Sequence, residues 1–144
     1  MQVRHIVSAK GAEVATIRPE ATIAEAAKLL KEKNIGAIVI TTDDGSIAGI
    51  LSERDVVRGL PEHGADLLAL RVKDRMTSEV TTCNLDERID DVMKLMTQGR
   101  FRHLPIVEEG RLAGIISIGD VVKNRLAELE SEATTLREYI AGSA

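Results

Sequence analysis

A serine and an aspartate three residues apart occur twice in this chain, each time after a glycine and two apolar residues. The two runs are Gly49-Ile-Leu-Ser52-Glu-Arg-Asp55 and Gly114-Ile-Ile-Ser117-Ile-Gly-Asp120. A carboxylate accepts hydrogen bonds from two neighbouring hydroxyls, which is what a ribose diol offers, and a serine beside it donates or accepts. The same pair also reads as a helix cap, with Asp55 standing where an N-cap belongs. Taken singly, the cap is the simpler reading; recurrence with the same lead-in favours a ligand. A second feature is Arg100-Phe-Arg102-His103-Leu-Pro105, whose counterpart in the first half, Asn34-Ile-Gly36-Ala37-Ile-Val39, carries no charge. Arg102 and His103 enter an expected strand, where successive side chains point to opposite faces. One could then serve each of two clefts as a phosphate ligand, the arginine through its planar fork. Ordinary surface roles are the alternative.

Motifs for catalysis are absent. There is no glycine-rich loop ending in Gly-Lys-Ser/Thr, no Gly-x-Gly-x-x-Gly and no Gly-x-Ser-x-Gly elbow. His5, His63 and His103 are far apart in sequence and form no His-Glu-x-x-His pair. The acidic pairs Asp43-Asp44, Asp86-Glu87 and Asp90-Asp91 read as turn or helix-start chemistry, so no nucleophile and base stand together.

What must position these residues is a repeat. At an offset of 66 residues Val14 falls on Val80, Thr16 on Thr82, Ile23 on Ile89, Lys28-Leu29 on Lys94-Leu95 and Ile40 on Ile106. With one residue removed from the Asp43-Asp44-Gly45 turn, Ala48-Gly49-Ile50 meets Ala113-Gly114-Ile115, and Asp55-Val56-Val57 meets Asp120-Val121-Val122. A single gap placed in a turn is hard to obtain by chance. Each unit reads β-α-β-β-α. In the first, a strand over Val14–Ile17 ends at Pro19, and Thr22 with Glu25 makes a capping box for a helix to about Lys33. A strand over Ile35–Thr41, a turn and a strand over Ile47–Leu51 follow, then a helix broken by Pro61 and Gly64. The second has a strand over Val80–Cys83, a helix to about Gln98, strands over Leu104–Val107 and Leu112–Ser117, and a helix from about Asp120. It carries Arg88 where Thr22 stands and so lacks the box. Leu67, Leu68 and Leu70 suggest a short helical stretch between the units. One unit is too small to bury its sheet, so an α/β (α+β) fold of two units packed sheet to sheet is expected. The expected divisions are 6–60, 72–125 and a C-terminal helical extension, 126–144.

Composition narrows the function. The chain holds one Phe, one Tyr and no Trp, so its core is aliphatic and base stacking on aromatic platforms is excluded. A net charge of −4 argues against a non-specific polyanion binder, though not against a small anion in a local basic pocket. Cys83 stands alone, so neither an intrachain disulfide nor a thiolate metal cluster is expected. No apolar run approaches a bilayer span and no apolar leader is present, which makes a cytoplasmic address the expectation. Past the repeat, Val122, Leu126, Leu129, Ala133, Leu136 and Ile140 recur at steps of four and three. This seam is too short for a coiled coil alone. It packs back on its own sheet or meets a second subunit, and a homodimer is the favoured reading.

The two units resemble CBS domains, and the pair resembles a Bateman module, over roughly Ile6 to Arg125. The resemblance rests on the two Gly-x-x-Ser-x-x-Asp turns, the Arg-His-Leu-Pro run from Arg102 to Pro105 and the Met76-Thr77 lead-in, and it is closest to small stand-alone bacterial CBS pairs. It implies two pseudo-symmetric clefts for an adenine nucleotide: AMP foremost, with ADP, ATP or NAD(H) as relatives. S-adenosylmethionine suits Arg102 and His103 less well. Carried onto this sequence, Asp55 and Asp120 take the ribose, with Ser52 and Ser117 beside ribose or phosphate. Thr16 and Thr82 lie near the base, Arg102, His103 and Arg54 serve the phosphates, and Pro105 belongs to the same run. Gly119 in place of Arg54 makes the clefts unequal. The expectation is a non-catalytic regulatory module with no obligatory cofactor and an unnamed protein target. The competing reading is a structural or partner-binding module with empty clefts.

Overall fold

Ile38, Val39 and Ile40 are wholly buried, so the strand that carries them must be covered on both faces. That strand is β2 (Ala37–Thr41), the centre of a three-stranded sheet. It pairs in parallel with β1 (Thr16–Ile17) and antiparallel with β3 (Ile47–Ser52). The computed structural model describes residues 1–142; Ser143 and Ala144, the end of the expected extension, lie outside them. Between β1 and β2 runs α2 (Ile23–Lys33), which buries Ile23, Ala26 and Leu30 and ends on Asn34 at φ 53°, a left-handed cap that asparagine tolerates. Its start departs from the expected box. Thr22 Oγ1 accepts the Glu25 N–H at 3.2 Å, but Glu25 does not reach back; the free N–H of Ile23 donates to Leu70 O at 2.9 Å. After β3 comes α3 (Glu53–His63), which runs through Pro61 and stops at Gly64. Pro61 does not break it because it sits in the last turn, where the Val57 carbonyl it orphans belongs to an exposed residue. A 3-10 helix (Gly64–Ala69) then buries Leu67, and α4 (Val72–Arg75) leads to the second unit.

The second unit repeats the plan with α5 (Ile89–Gly99), β4 (His103–Glu108), β5 (Arg111–Ser117) and α6 (Ile118–Gly142). Glu109 and Gly110, at φ 52° and 75°, form a two-residue hairpin turn whose twist suits the flanking strands. The strand expected over Val80–Cys83 shrinks to a single bridge between Cys83 and Ile106. The cause is Pro105. In the first unit Val39 N–H donates to Ala15 O at 3.2 Å, and Pro105 occupies the equivalent place without an N–H. Only the two bonds of Cys83 remain, to Pro105 O at 3.0 Å and from Val107 N at 2.8 Å.

The segment preceding each unit completes the core of the other. Leu67 and Val72 pack with Ile23, Ala26, Leu30, Ile38, Ile40 and Leu51 of the first unit. Val3 and Ile6, on a helix α1 (Val3–Lys10), pack with Ile89, Val92, Met96, Leu104, Ile106 and Ile116 of the second. The hydrogen bonds match: Val72 N to Ala21 O at 2.7 Å and Ile23 N to Leu70 O, against Val3 N to Glu87 O and Ile89 N to Met1 O, both at 2.9 Å. Met1 O thus supplies the acceptor at the start of α5, where Arg88 offers no side-chain cap. Each fully buried aliphatic side chain contributes about 1.5–3 kcal/mol, so small units depend on these borrowed residues.

Helix α6 leaves the body. Val121 is buried, but from Leu129 to Gly142 every described residue is exposed. The reading in which its apolar seam packs back on its own sheet is therefore not what the fold adopts: Leu126 is 56% exposed, Leu136 59% and Ile140 61%. Among the described residues no helix is long and apolar enough to cross a membrane.

Because Ile6 belongs to the second core, Ile6→Ala should lower unfolding stability by about 2–5 kcal/mol in urea titrations. A loss under about 1 kcal/mol would mean that α1 is not docked there.

Candidate functional site

Both serine–aspartate turns are capping boxes, and the N-cap is the serine rather than the aspartate. Ser52 closes β3, Asp55 N–H donates to Ser52 Oγ at 3.3 Å, and Ser52 N–H donates to Asp55 Oδ2 at 2.9 Å. The Ser52 hydroxyl adds a bond to the same oxygen at 3.1 Å. In the second unit Ser117 N–H donates to Asp120 Oδ2 at 2.9 Å, and Asp120 N–H to Ser117 Oγ at 3.1 Å. Asp55 is at the third helical position because its carboxylate must reach back over one turn. The cap consumes Oδ2 alone. Among the described residues Oδ1 of Asp55 has no partner, so a carboxylate fixed by the cap keeps an acceptor for something else.

Two concavities flank these turns. The first, of about 360 Å³, gathers Ser52, Glu53, Arg54, Asp55 and Arg58 from the first unit with Arg100, Phe101, Arg102 and His103 from the second; Gly36, Ala37, Ile50, Thr77 and Glu79–Thr81 complete it. The second, of about 500 Å³, gathers Asn34, Ile35, Gly36 and Ala37 with Ile115, Ser117 and His103, and adds Lys10, Glu13, Val14, Ala15 and Lys33. Two helix-start bonds hold the strand entries in place: Glu53 N–H to Gly36 O at 2.9 Å and Ile118 N–H to Arg102 O at 2.8 Å. Each hollow therefore combines the turn of one unit with the strand entry of the other.

The expected site residues divide as follows. Ser52, Arg54, Asp55, Arg102 and His103 come together in the first cleft. Ser117 and His103 line the second, and Asp120 reaches it through Lys10. Thr16, Thr82 and Pro105 line neither. The runs Glu13–Ala15 and Glu79–Thr81 just before the two threonines do, and Pro105 is buried inside β4. Arg102 and His103 do not serve one cleft each: Arg102 faces the first, while His103 borders both, its ring lying against Gly36. A Cβ on Gly36 would stand 3.2 Å from that ring. Arg58, Arg100 and Lys10 line these hollows and are not among the residues the sequence singles out. Arg58 follows Arg54 by four residues and so shares its helix face, a usable signal; Arg100 is placed by its left-handed φ of 57°, which the sequence does not announce.

Electrostatics separate the clefts. Arg54, Arg58, Arg100 and Arg102 line the first, and among the described residues none forms an ion pair. In the second, Lys10 Nζ lies 2.7 Å from Asp120 Oδ2 and donates to Ile115 O at 3.0 Å. Burial opposes the Asp120 charge, but Lys10 and the Ser117 N–H and hydroxyl outweigh it and hold its pKa below the ordinary carboxylate value. Burial, aided by the Lys10 and Arg102 cations and opposed by Asp120 and Glu53, lowers the pKa of His103. As a neutral ring it offers a phosphate one N–H rather than a charge. The buried thiol of Cys83, pushed up to about 12 by burial and then by Glu87, is inert at neutral pH. No cluster of metal-ligating side chains occurs among the described residues.

Paired β-α-β-β-α units with a composite cleft on each side define a Bateman module. The CBS domain family matches this chain twice, over residues 3–62 and 72–127, and the chain belongs to that family. It is 36% identical over 124 residues to the CBS domain-containing protein YhcV of Bacillus subtilis, covering 86% of each chain. A CBS-domain containing protein of Agrobacterium tumefaciens, known from its crystal structure, is similar at 47% identity and a TM-score of 0.84, over 86% of this chain and 92% of that one. A CBS domain pair crystallised with 5′-methylthioadenosine and S-adenosyl-L-methionine is similar at 25% identity and a TM-score of 0.78, over 89% of this chain and 98% of that one.

The lowered pKa of His103 has a consequence for stability. The unfolded chain takes up this proton near pH 6.5, the folded chain only below it, so the unfolded state binds more protons between the two values. Stability from this residue is present above that window and lost as the pH falls through it. Urea midpoints at pH 7.5 and 5.5 should draw closer together in His103→Gln; an unchanged gap would contradict the assignment.

Proposed function

We propose that this chain is a non-catalytic regulatory module that binds an adenine nucleotide in the first cleft, with AMP the reference ligand and ADP, ATP or NAD(H) its relatives. The observation that carries the reading is the convergence there of a fixed carboxylate, Asp55, with four guanidinium groups; among the described residues neither the second Asp55 oxygen nor those groups have a protein partner. A diol and a phosphate on one molecule answer both. Apolar Ala37, Ile50 and Val80, together with backbone groups, suit an adenine face. The adenosyl ligands of a related CBS domain pair support the choice of base and sugar. An arginine cluster favours an anionic nucleotide over a sulfonium.

We also propose that the module is a homodimer through α6. The exposed seam of Val122, Leu126, Leu129, Leu136 and Ile140 is self-complementary when two copies run antiparallel. Light scattering on a chain cut after Arg125 should report the monomer mass; an unchanged mass across dilution would remove α6 from the interface.

Asp55→Ala should weaken AMP binding about 10- to 100-fold, the loss of a hydrogen bond to a charged group. Arg102→Ala should weaken AMP binding far more than adenosine binding. If Asp55→Ala binds AMP as wild type does, the ribose assignment fails, and equal losses for AMP and adenosine would leave Arg102 a packing role only.

A further inference from the structure

Lys10 has no counterpart in the first unit. The lead-in to the first unit is longer by one helical turn, α1 having eight residues where α4 has four, and Lys10 is the last of them. Its ammonium bonds the Asp120 carboxylate at 2.7 Å and the Ile115 carbonyl at 3.0 Å. In the first cleft no cation takes either place. The carbonyl equivalent to that of Ile115 belongs to Ile50 and accepts the Thr77 backbone N–H at 2.9 Å, while Asp55 meets no cation. The pair is partly shielded, with Lys10 33% and Asp120 23% exposed, so the attraction is screened less than on an open surface.

We infer that Lys10 decides which cleft takes ligand: its ammonium, bonded to the same Oδ2 that the cap uses, neutralises the Asp120 carboxylate and stands between it and the second cleft, so that the protein holds one adenine nucleotide per chain, in the first cleft. A diol that approaches Asp120 from the second cleft must displace the ammonium covering it and leave the Ile115 carbonyl unpaired. The first cleft asks for no such exchange. The four free guanidiniums act in the same direction, because the second cleft offers a phosphate only Lys33 and the already engaged Lys10. Shape alone does not separate the clefts, since the second is the larger.

This inference rests on the nucleotide reading above, and calorimetric titration separates the two. Wild type should bind one AMP per chain, with ADP and ATP run in parallel. Lys10→Met keeps the aliphatic stem and removes the charge; it should bind a second nucleotide at least tenfold more tightly than wild type does. Lys10→Arg, which keeps the cation, should stay at one. Asp55→Ala placed in the Lys10→Met chain should leave a single site. Two comparable sites in wild type, or one site in Lys10→Met, would overturn the role of Lys10 and leave the nucleotide reading standing. No uptake of any of the three nucleotides by either chain would overturn both.

Discussion

The hydrogen bond from a serine N–H to one oxygen of an aspartate three residues later joins the end of a strand to the start of a helix in both units. It answers a requirement of helices, whose first N–H groups have no partner of their own. The answer also fixes a carboxylate at the mouth of a cleft with one oxygen committed and the other free. In the proposed site, stability and binding therefore draw on the same side chain. Replacing Asp55 should loosen the start of α3 as well as the ligand, so its effect on folding has to be measured beside its effect on affinity.

Everything else positions those turns against strand entries that come from the other half of the chain. The exchange of lead-in segments, Val3 and Ile6 to the second core and Leu67 and Val72 to the first, ties the units into one body. Approximate two-fold symmetry gives two clefts, and three local departures make them differ. Pro105 cannot donate, Gly119 replaces Arg54, and α1 has an additional turn that carries Lys10. The module is thus symmetric in backbone and unequal in charge, with four guanidinium groups that form no ion pair among the described residues gathered in the first cleft.

How much of this the sequence reveals depends on the range of the interaction. The offset between Val14 and Val80 exposes the repeat because packing imposes the same apolar pattern on both units. The serine–aspartate runs are legible because a capping box is a local motif, although the sequence alone set Asp55 rather than Ser52 at the cap. Pro105 shows its effect only once Val39 N–H is seen bonded to Ala15, since a missing donor matters only where a partner waits. Helix α1 has three useful apolar positions, Val3, Ile6 and Val7, too few for a period to stand out. The Lys10–Asp120 pair spans 110 residues and leaves no local trace.

The most direct measurement is a crystal structure of the full chain grown with AMP. The account predicts one nucleotide in the first cleft, its ribose hydroxyls within hydrogen-bond distance of Asp55 and its phosphate against Arg102. Empty clefts at saturating AMP, or a nucleotide bound away from Asp55, would contradict it.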